Sequence, residues 1–349
     1  MDTGIALARA YHREVVGPLL SREVPRLPHA AGRLGSGSDV LGFDDATSRD
    51  HDWGLRLTLL VDDADADLVP YLDDLLEREL PDRFRGHPVR FAMTWDERAR
   101  HKVSVATVPA FARDRLGIAF DPADSAGWLM LTGQAVLEVI AGPVFADTTT
   151  ALGPLRAALR HYPAEVERYV LAAGWHRLAR LPLHARAAAT GQPLHARRLA
   201  GTLAEDVMRQ AFRLCRAWAP YDKWFERAFQ RLPIAAELTG PLTTVLHSVD
   251  PRVREDALVT AVRVLLARQR DLGLPTPPDG VGPFFERASR AVRPEVPAAL
   301  LDGLTDPLLR RLPPEIGAID QWLDNPWLLA RPEARAAFAA AYEQWLRRA

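Results

Sequence analysis

Two short clusters near the start of the sequence have the residue types and spacing that phosphate and metal chemistry require. The first is Gly35-Ser36-Gly37-Ser38, followed by Asp39. Small residues let a backbone approach a ligand closely, and successive N–H groups in a turn or at a helix start bind phosphate oxygens. Taken alone, such a run fits a plain turn equally well. The second is Asp50-His51-Asp52, which opens an alternating apolar run. Side chains on a strand alternate, so Asp50 and Asp52 share one face and His51 takes the other. Two adjacent carboxylates repel unless a cation lies between them, and Mg²⁺ bridging to nucleotide phosphates is the usual solution. The alternative is a solvated strand end near a turn. It sits poorly with the core strand that continues through Leu55, Leu57, Leu59 and Val61.

The elements that must position these clusters follow from hydrophobic periodicity. Residues 5–20 predict an amphipathic helix, with Ile5, Ala8, Tyr11, His12, Val15, Val16 and Leu19 at helical spacing. A short strand over Ala30–Leu34 runs into the Gly/Ser loop, and Asp52–Asp62 is the clearest strand. A helix is expected over Asp63–Leu80, then strands over Val89–Trp95 and Lys102–Val108. Near Ala110 the strand signal stops. Helices are expected around 110–116, 125–140, 151–159, 163–180, 193–218, 221–230, 235–247, 251–271, 280–291, 295–310 and 333–347. The prolines, 28 in all, punctuate these helices rather than forming one tract.

A Gly-Ser loop, a short helix and turn, and then Asp-x-Asp on the next strand together resemble the polymerase-beta-like nucleotidyltransferase superfamily. Residues 37–49 lie between Ser36 and Asp50. The resemblance implies that Gly35, Ser36 and Ser38 cradle the phosphates of a nucleoside triphosphate. It implies that Asp50 and Asp52 hold Mg²⁺ and are the catalytic carboxylates. More narrowly, Gly35–Asp44 with Ser48–Gly54 is similar to an uncharacterised bacterial family of unknown function that attaches this domain to a long helical tail. Further matching segments are Ala141–Asp147, Ala219–Phe225 and Ile316–Trp322. The fold expected is therefore α+β. A small mixed-sheet nucleotidyltransferase-type domain with an N-terminal helix occupies residues 1–112, and a mostly α-helical domain occupies 113–349.

Transferases of this superfamily usually carry a third carboxylate on a later strand, and the resemblance would place it on Lys102–Pro109. Ser104 stands there, and a hydroxyl is a poor metal ligand and no general base at neutral pH. Asp96 or Glu97 is a substitute, unless both are turn acids. In the helical region Arg177, Arg180 and Arg186 either face phosphates or cover a solvated helix face. Tyr221 and Lys223 sit at a helix start beside the core anchors Trp224 and Phe225, and Lys223 is the candidate ligand contact there. His51, His176 and His184 do not have metal-ligand spacing and read as packed or hydrogen-bonded histidines. Cys215, in the run Phe212-Arg213-Leu214-Cys215-Arg216, reads as a small buried hydrophobe rather than a nucleophile.

Composition closes off several classes. One cysteine excludes an intrachain disulfide and a multi-cysteine zinc site. A formal net charge of -1 argues against a uniformly basic nucleic-acid surface, and so against transfer RNA or DNA as acceptor. No run of eighteen or more apolar residues predicts a membrane span, and Met1-Asp2-Thr3-Gly4 has no basic leader. The expected setting is cytoplasmic. Three functional readings stand at this point. One is a Mg²⁺-dependent transferase that moves a nucleoside monophosphate to a hydroxyl of a small molecule or protein. The second is a degenerate relative that binds or senses nucleotide. The third is an interaction protein acting through its helical region.

Overall fold

The computed structural model describes residues 3–44, 53–94 and 96–348. Its fold class is α+β. Contacts divide the chain into two units, residues 1–121 with 134–160, and residues 122–133 with 161–349. Among the described residues no helix is long and apolar enough to cross a membrane.

The first unit begins with α1 (Gly4–Tyr11) and α2 (Gly17–Glu23), joined by a π-helical turn over His12–Val16. Pro18 has no N–H to return to the preceding turn, and the Gly17 N–H reaches back to His12 O instead. That longer loop is the widened register of a π-turn. A sheet follows, built from β1 (His29–Gly32), β2 (Arg56–Val61), β5 (Arg90–Met93), β6 (Asp96–Thr107) and β7 (Val144–Asp147), in the order β5-β6-β2-β1-β7. Between them lie a 3₁₀ segment Asp63–Leu68, α3 (Val69–Glu79) and the small hairpin of β3 (Arg83–Phe84) with β4 (His87–Pro88). α4 (Val108–Leu116) continues directly from β6.

β2 and β6 run parallel, with Arg56 opposite Lys102, Thr58 opposite Ser104 and Val61 opposite Thr107. The other pairings are antiparallel, so the sheet is mixed. Leu55, Leu57, Leu59 and Val61 pack with Leu72, Leu75 and Leu76 of α3 and with Leu7, Tyr11, Leu19 and Leu20 of the N-terminal helices. Thr58 and Leu60 on the opposite face are also buried, as suits a central strand.

The sheet gains one strand from beyond the point where the sequence signal ends. β7 pairs with β1 through Ala30–Asp147 and Ala31–Ala146. It is four residues long and lies at an edge, too short for alternation to show. A second correction falls in the other unit. The helix expected over 280–291 is instead a hairpin of β8 (Val281–Pro283) and β9 (Arg290–Val292). Gly280, Gly282 and Pro283 disfavour helix, and Phe285 takes a positive φ of 54° within the turn. The second unit is otherwise helical. The helices Ala164–Leu178, Pro193–Leu214, Ala235–His247 and Pro251–Asp271 supply most of its core.

Candidate functional site

β1 runs antiparallel to β2, so the chain leaving β1 emerges beside the start of β2. The Gly/Ser loop therefore stands at the end of the sheet where β2 begins. Asp50 and Asp52, the expected metal ligands, precede β2 and lie outside the described residues, as does His51.

The loop is organised by Arg33, which is only 3% exposed. Its guanidinium donates to both carboxylate oxygens of Asp39, at 2.7 and 2.9 Å, and to the carbonyls of Leu34 and Ser36, each at 2.9 Å. The chain from Leu34 to Val40 folds around this buried ion pair. Gly37 has φ +146°, and a Cβ there would land on the Asp39 carboxylate and the Arg33 guanidinium. Only glycine fits such a position. Gly35 has φ +84°, and its N–H donates to Glu138 O at 2.7 Å. Its contribution is conformational, since that donor is occupied. The N–H groups of Ser36 and Gly37 have no acceptor among the described residues. The Ser38 carbonyl accepts from the Phe43 N–H at 2.8 Å and closes the turn that follows.

Two further cations border the turn. Arg56, the first residue of β2, donates from Nη2 to Ser36 Oγ at 3.1 Å. The Arg115 guanidinium, at the end of α4, lies 3.8 Å from the position a Gly35 Cβ would take. It pairs with Asp114 at 2.8 Å and with Glu138 at 3.4 Å. The nearby carboxylates are engaged. Asp39 holds Arg33, and Asp44 accepts from the Gly4 N–H at the start of α1.

Thr58 donates to Leu34 O at 3.2 Å, which sets its side chain on the loop side of the sheet. Ser104 is its register partner on β6 and so lies on that same face, exposed. Asp96 accepts from Lys102 Nζ at 3.1 Å and from Arg98. Hydrogen bonds from Arg98 and Lys102 hold its carboxyl down to about 2. Glu97 is exposed. Among the described residues no group of three or more His, Cys, Asp or Glu is placed to hold a metal ion.

The remaining candidates belong to the second unit. Lys223 is exposed on the helix Asp222–Phe229, with its ammonium 5.3 Å from the Trp224 ring centroid. Arg177 and Arg180 both donate to the buried Asp206, at 2.7 and 2.6 Å, and are spent on that carboxylate. Arg186 is exposed. His184 is fully buried and accepts from Arg254 Nε at 3.0 Å. Burial, with the Arg254 charge beside it, pushes its pKa down to about 4. Burial likewise lowers the pKa of His176. Cys215 is partly buried, and burial raises its thiol pKa.

Sequence reasoning missed Arg33, Asp39, Arg56 and Arg115. Arg33 and Asp39 flank the Gly/Ser run, and that bracketing was a readable signal. Nothing local marked Arg115.

Residues 128–225 match a protein-family description that reads "Domain of unknown function (DUF4037)". No curated protein matches the chain. Among solved structures, the chain is similar to a nucleotidyltransferase-like protein from Exiguobacterium sibiricum 255-15. Identity is 14%, the match covers 76% of this chain and 78% of that one, and the TM-score is 0.34.

Proposed function

We propose that the first unit binds a nucleoside triphosphate with Mg²⁺ through the Gly35–Ser38 loop, in the manner of a nucleotidyltransferase. The observation that carries this reading is the loop itself. A buried Arg33–Asp39 pair holds it, Ser36 and Gly37 present N–H groups that no described residue uses, and Arg56 and Arg115 stand beside it. Backbone donors flanked by guanidinium groups are what a phosphate chain requires. Asp50 and Asp52 are the residues that would hold Mg²⁺. When bound, the ion would neutralise phosphate charge and polarise the reacting phosphorus centre. Ser36 and Gly37 would bind phosphate oxygens, and Arg56 would orient the Ser36 hydroxyl while adding positive charge.

Transfer of the nucleoside monophosphate to a hydroxyl of a small molecule or protein is the active form of this reading. The placement of Ser104 favours its second form, a protein that binds nucleotide without turnover. The loop-side position on β6 carries a hydroxyl, and Asp96, at the start of the same strand, is neutralised by Lys102 and Arg98. Binding of ATP is measured with and without Mg²⁺ in the wild type, Asp50→Ala/Asp52→Ala and Arg56→Ala, together with pyrophosphate release. The expected result is Mg²⁺-dependent binding that both variants weaken. Equal binding in the wild type and the double aspartate variant overturns the proposal. Pyrophosphate release by the wild type selects the transferase form, and binding without release selects the other.

A further inference from the structure

Within the second unit, a cavity of about 40 Å³ is lined by Arg209, Arg213, Arg216, Glu167, Asp320 and Trp218, among others. Its charged groups fall into two classes. Arg216 and Glu167 satisfy each other through two hydrogen bonds of 2.7 and 2.9 Å. Arg209 is held by Glu205 at 2.7 Å. Arg213 and Asp320 are different. The Arg213 side chain is 12% exposed, and its ion-pair partner Asp320 Oδ1 lies at 3.7 Å, beyond hydrogen-bond reach. Asp320 Oδ1 is itself buried with no donor.

Such a pair is unusual in its incompleteness. A guanidinium and a carboxylate meant only for each other close to about 2.7–2.9 Å and bond through two parallel N–H groups. Here burial depresses the Arg213 pKa, a sign that its charge is taken out of water without full compensation. Arg209 stands one helical turn from Arg213 on the helix Pro193–Leu214, but its own charge is met by Glu205, which leaves Arg213 as the cation without a hydrogen-bonded acid. The unmet groups are thus a planar fork of donors and, beside it, a lone carboxylate acceptor. The cavity they line is walled by Tyr162 and Trp218, whose ring centroids lie 4.6 Å apart, and by Val170 and Phe212.

We propose that this cavity binds a small α-amino acid, its carboxylate on the Arg213 guanidinium and its ammonium on Asp320. A zwitterion supplies an acceptor to the orphaned fork and a donor to the orphaned carboxylate at once. A simple carboxylate would meet the first need and leave the second. One water needs on the order of 10–15 Å³ of such volume, so the cavity admits a ligand of a few heavy atoms rather than a single solvent molecule. The site is independent of the nucleotide reading of the other unit.

Calorimetric titration of the full chain with glycine, L-alanine and L-serine tests this, with acetate and ethylamine as single-charge probes. At least one of the three amino acids should bind saturably, and acetate and ethylamine about tenfold or more weaker. Arg213→Gln and Asp320→Asn should each weaken that binding by about tenfold or more. The proposal is overturned if none of the three binds at millimolar concentration, which marks a water-filled cavity. It is equally overturned if acetate binds as tightly as the amino acid, or if Asp320→Asn leaves binding unchanged. The wild-type titrations decide the matter even where a variant does not fold.

Discussion

Replacing Arg33 by methionine should unravel the Gly/Ser loop and destabilise the whole first unit. The Arg33 side chain is 3% exposed and that of Asp39 is 11% exposed. Removing one partner of a buried ion pair leaves an uncompensated charge, at a cost of about 3–5 kcal/mol. Arg33→Met also strips donors from the Leu34 and Ser36 carbonyls, although Leu34 O keeps its bond from Thr58. Hydrogen exchange of the β2 amides reads this unit alone. β2 is the middle strand of the sheet, so its amides should exchange only through opening of the unit. A loss of about 3–5 kcal/mol corresponds to an acceleration of roughly 150-fold to 5,000-fold. The double variant Arg33→Met/Asp39→Leu removes both charges and leaves chiefly the Ser36 carbonyl unsatisfied. It should exchange more slowly than either single variant, with a coupling of about 2 kcal/mol or more. The reasoning fails if Arg33→Met accelerates exchange less than tenfold. It fails also if the double variant is as labile as the two single effects added.

Three further outcomes are expected. Gly37→Ala must place a methyl on the Arg33–Asp39 head groups at a φ of +146°, at a cost of about 1–3 kcal/mol, read by the same exchange experiment and by loss of ATP binding. In the second unit His184 is buried with a pKa pushed down to about 4, against about 6.5 when unfolded. Its neutral form therefore contributes fully above pH 6.5, and about 3 kcal/mol is lost as pH falls from 6.5 through 4. Urea unfolding at pH 7 and pH 4.5 should show the loss, and His184→Gln, which keeps an acceptor for Arg254, should flatten the slope. Gly174→Ala would drive a methyl into the buried Gln210 amide and cost about 1–3 kcal/mol in urea unfolding of the second unit.

The parts of the fold that local pattern controls were legible. β2 announced itself because Leu55, Leu57, Leu59 and Val61 alternate and pack on one core. The N-terminal helix was visible in outline, but the π-turn at His12–Val16 was not, because apolar spacing does not register one extra residue in a turn. β7 and the β8–β9 hairpin were missed for different reasons. β7 exists through its pairing with β1, more than a hundred residues earlier, and β8 carries glycine and proline cues that apolar periodicity overrode. In the candidate site the small residues at 35–38 pointed to a turn, and Ser104, singled out through the superfamily resemblance, lies in register with Thr58. What holds the turn was hidden, since an ion pair six residues apart looks no different from two surface charges until burial is known. Arg115 reaches Gly35 across eighty residues of sequence, and no pattern carries that.

The charge placed around the loop bears on what the site can do. A two-carboxylate metal centre that performs transfer gains from a third acid, which completes the metal shell or takes the acceptor's proton. At this end of the sheet the β6 positions beside β2 are Lys102, opposite Arg56, and Ser104, opposite Thr58. Lys102 further neutralises Asp96 of its own strand. The position where a third carboxylate would serve transfer thus carries the Ser104 hydroxyl, and the Lys102 ammonium on the same strand is engaged by Asp96. On the proposed reading, such a site offers little to deprotonate a hydroxyl. Ser104→Asp places an acid on the loop side of β6 without touching the Arg33–Asp39 scaffold. If the wild type binds ATP but releases no pyrophosphate, any release from this variant would locate the missing group on β6. Continued silence with binding intact would shift the deficit to the acceptor or to the segment around Asp50 and Asp52.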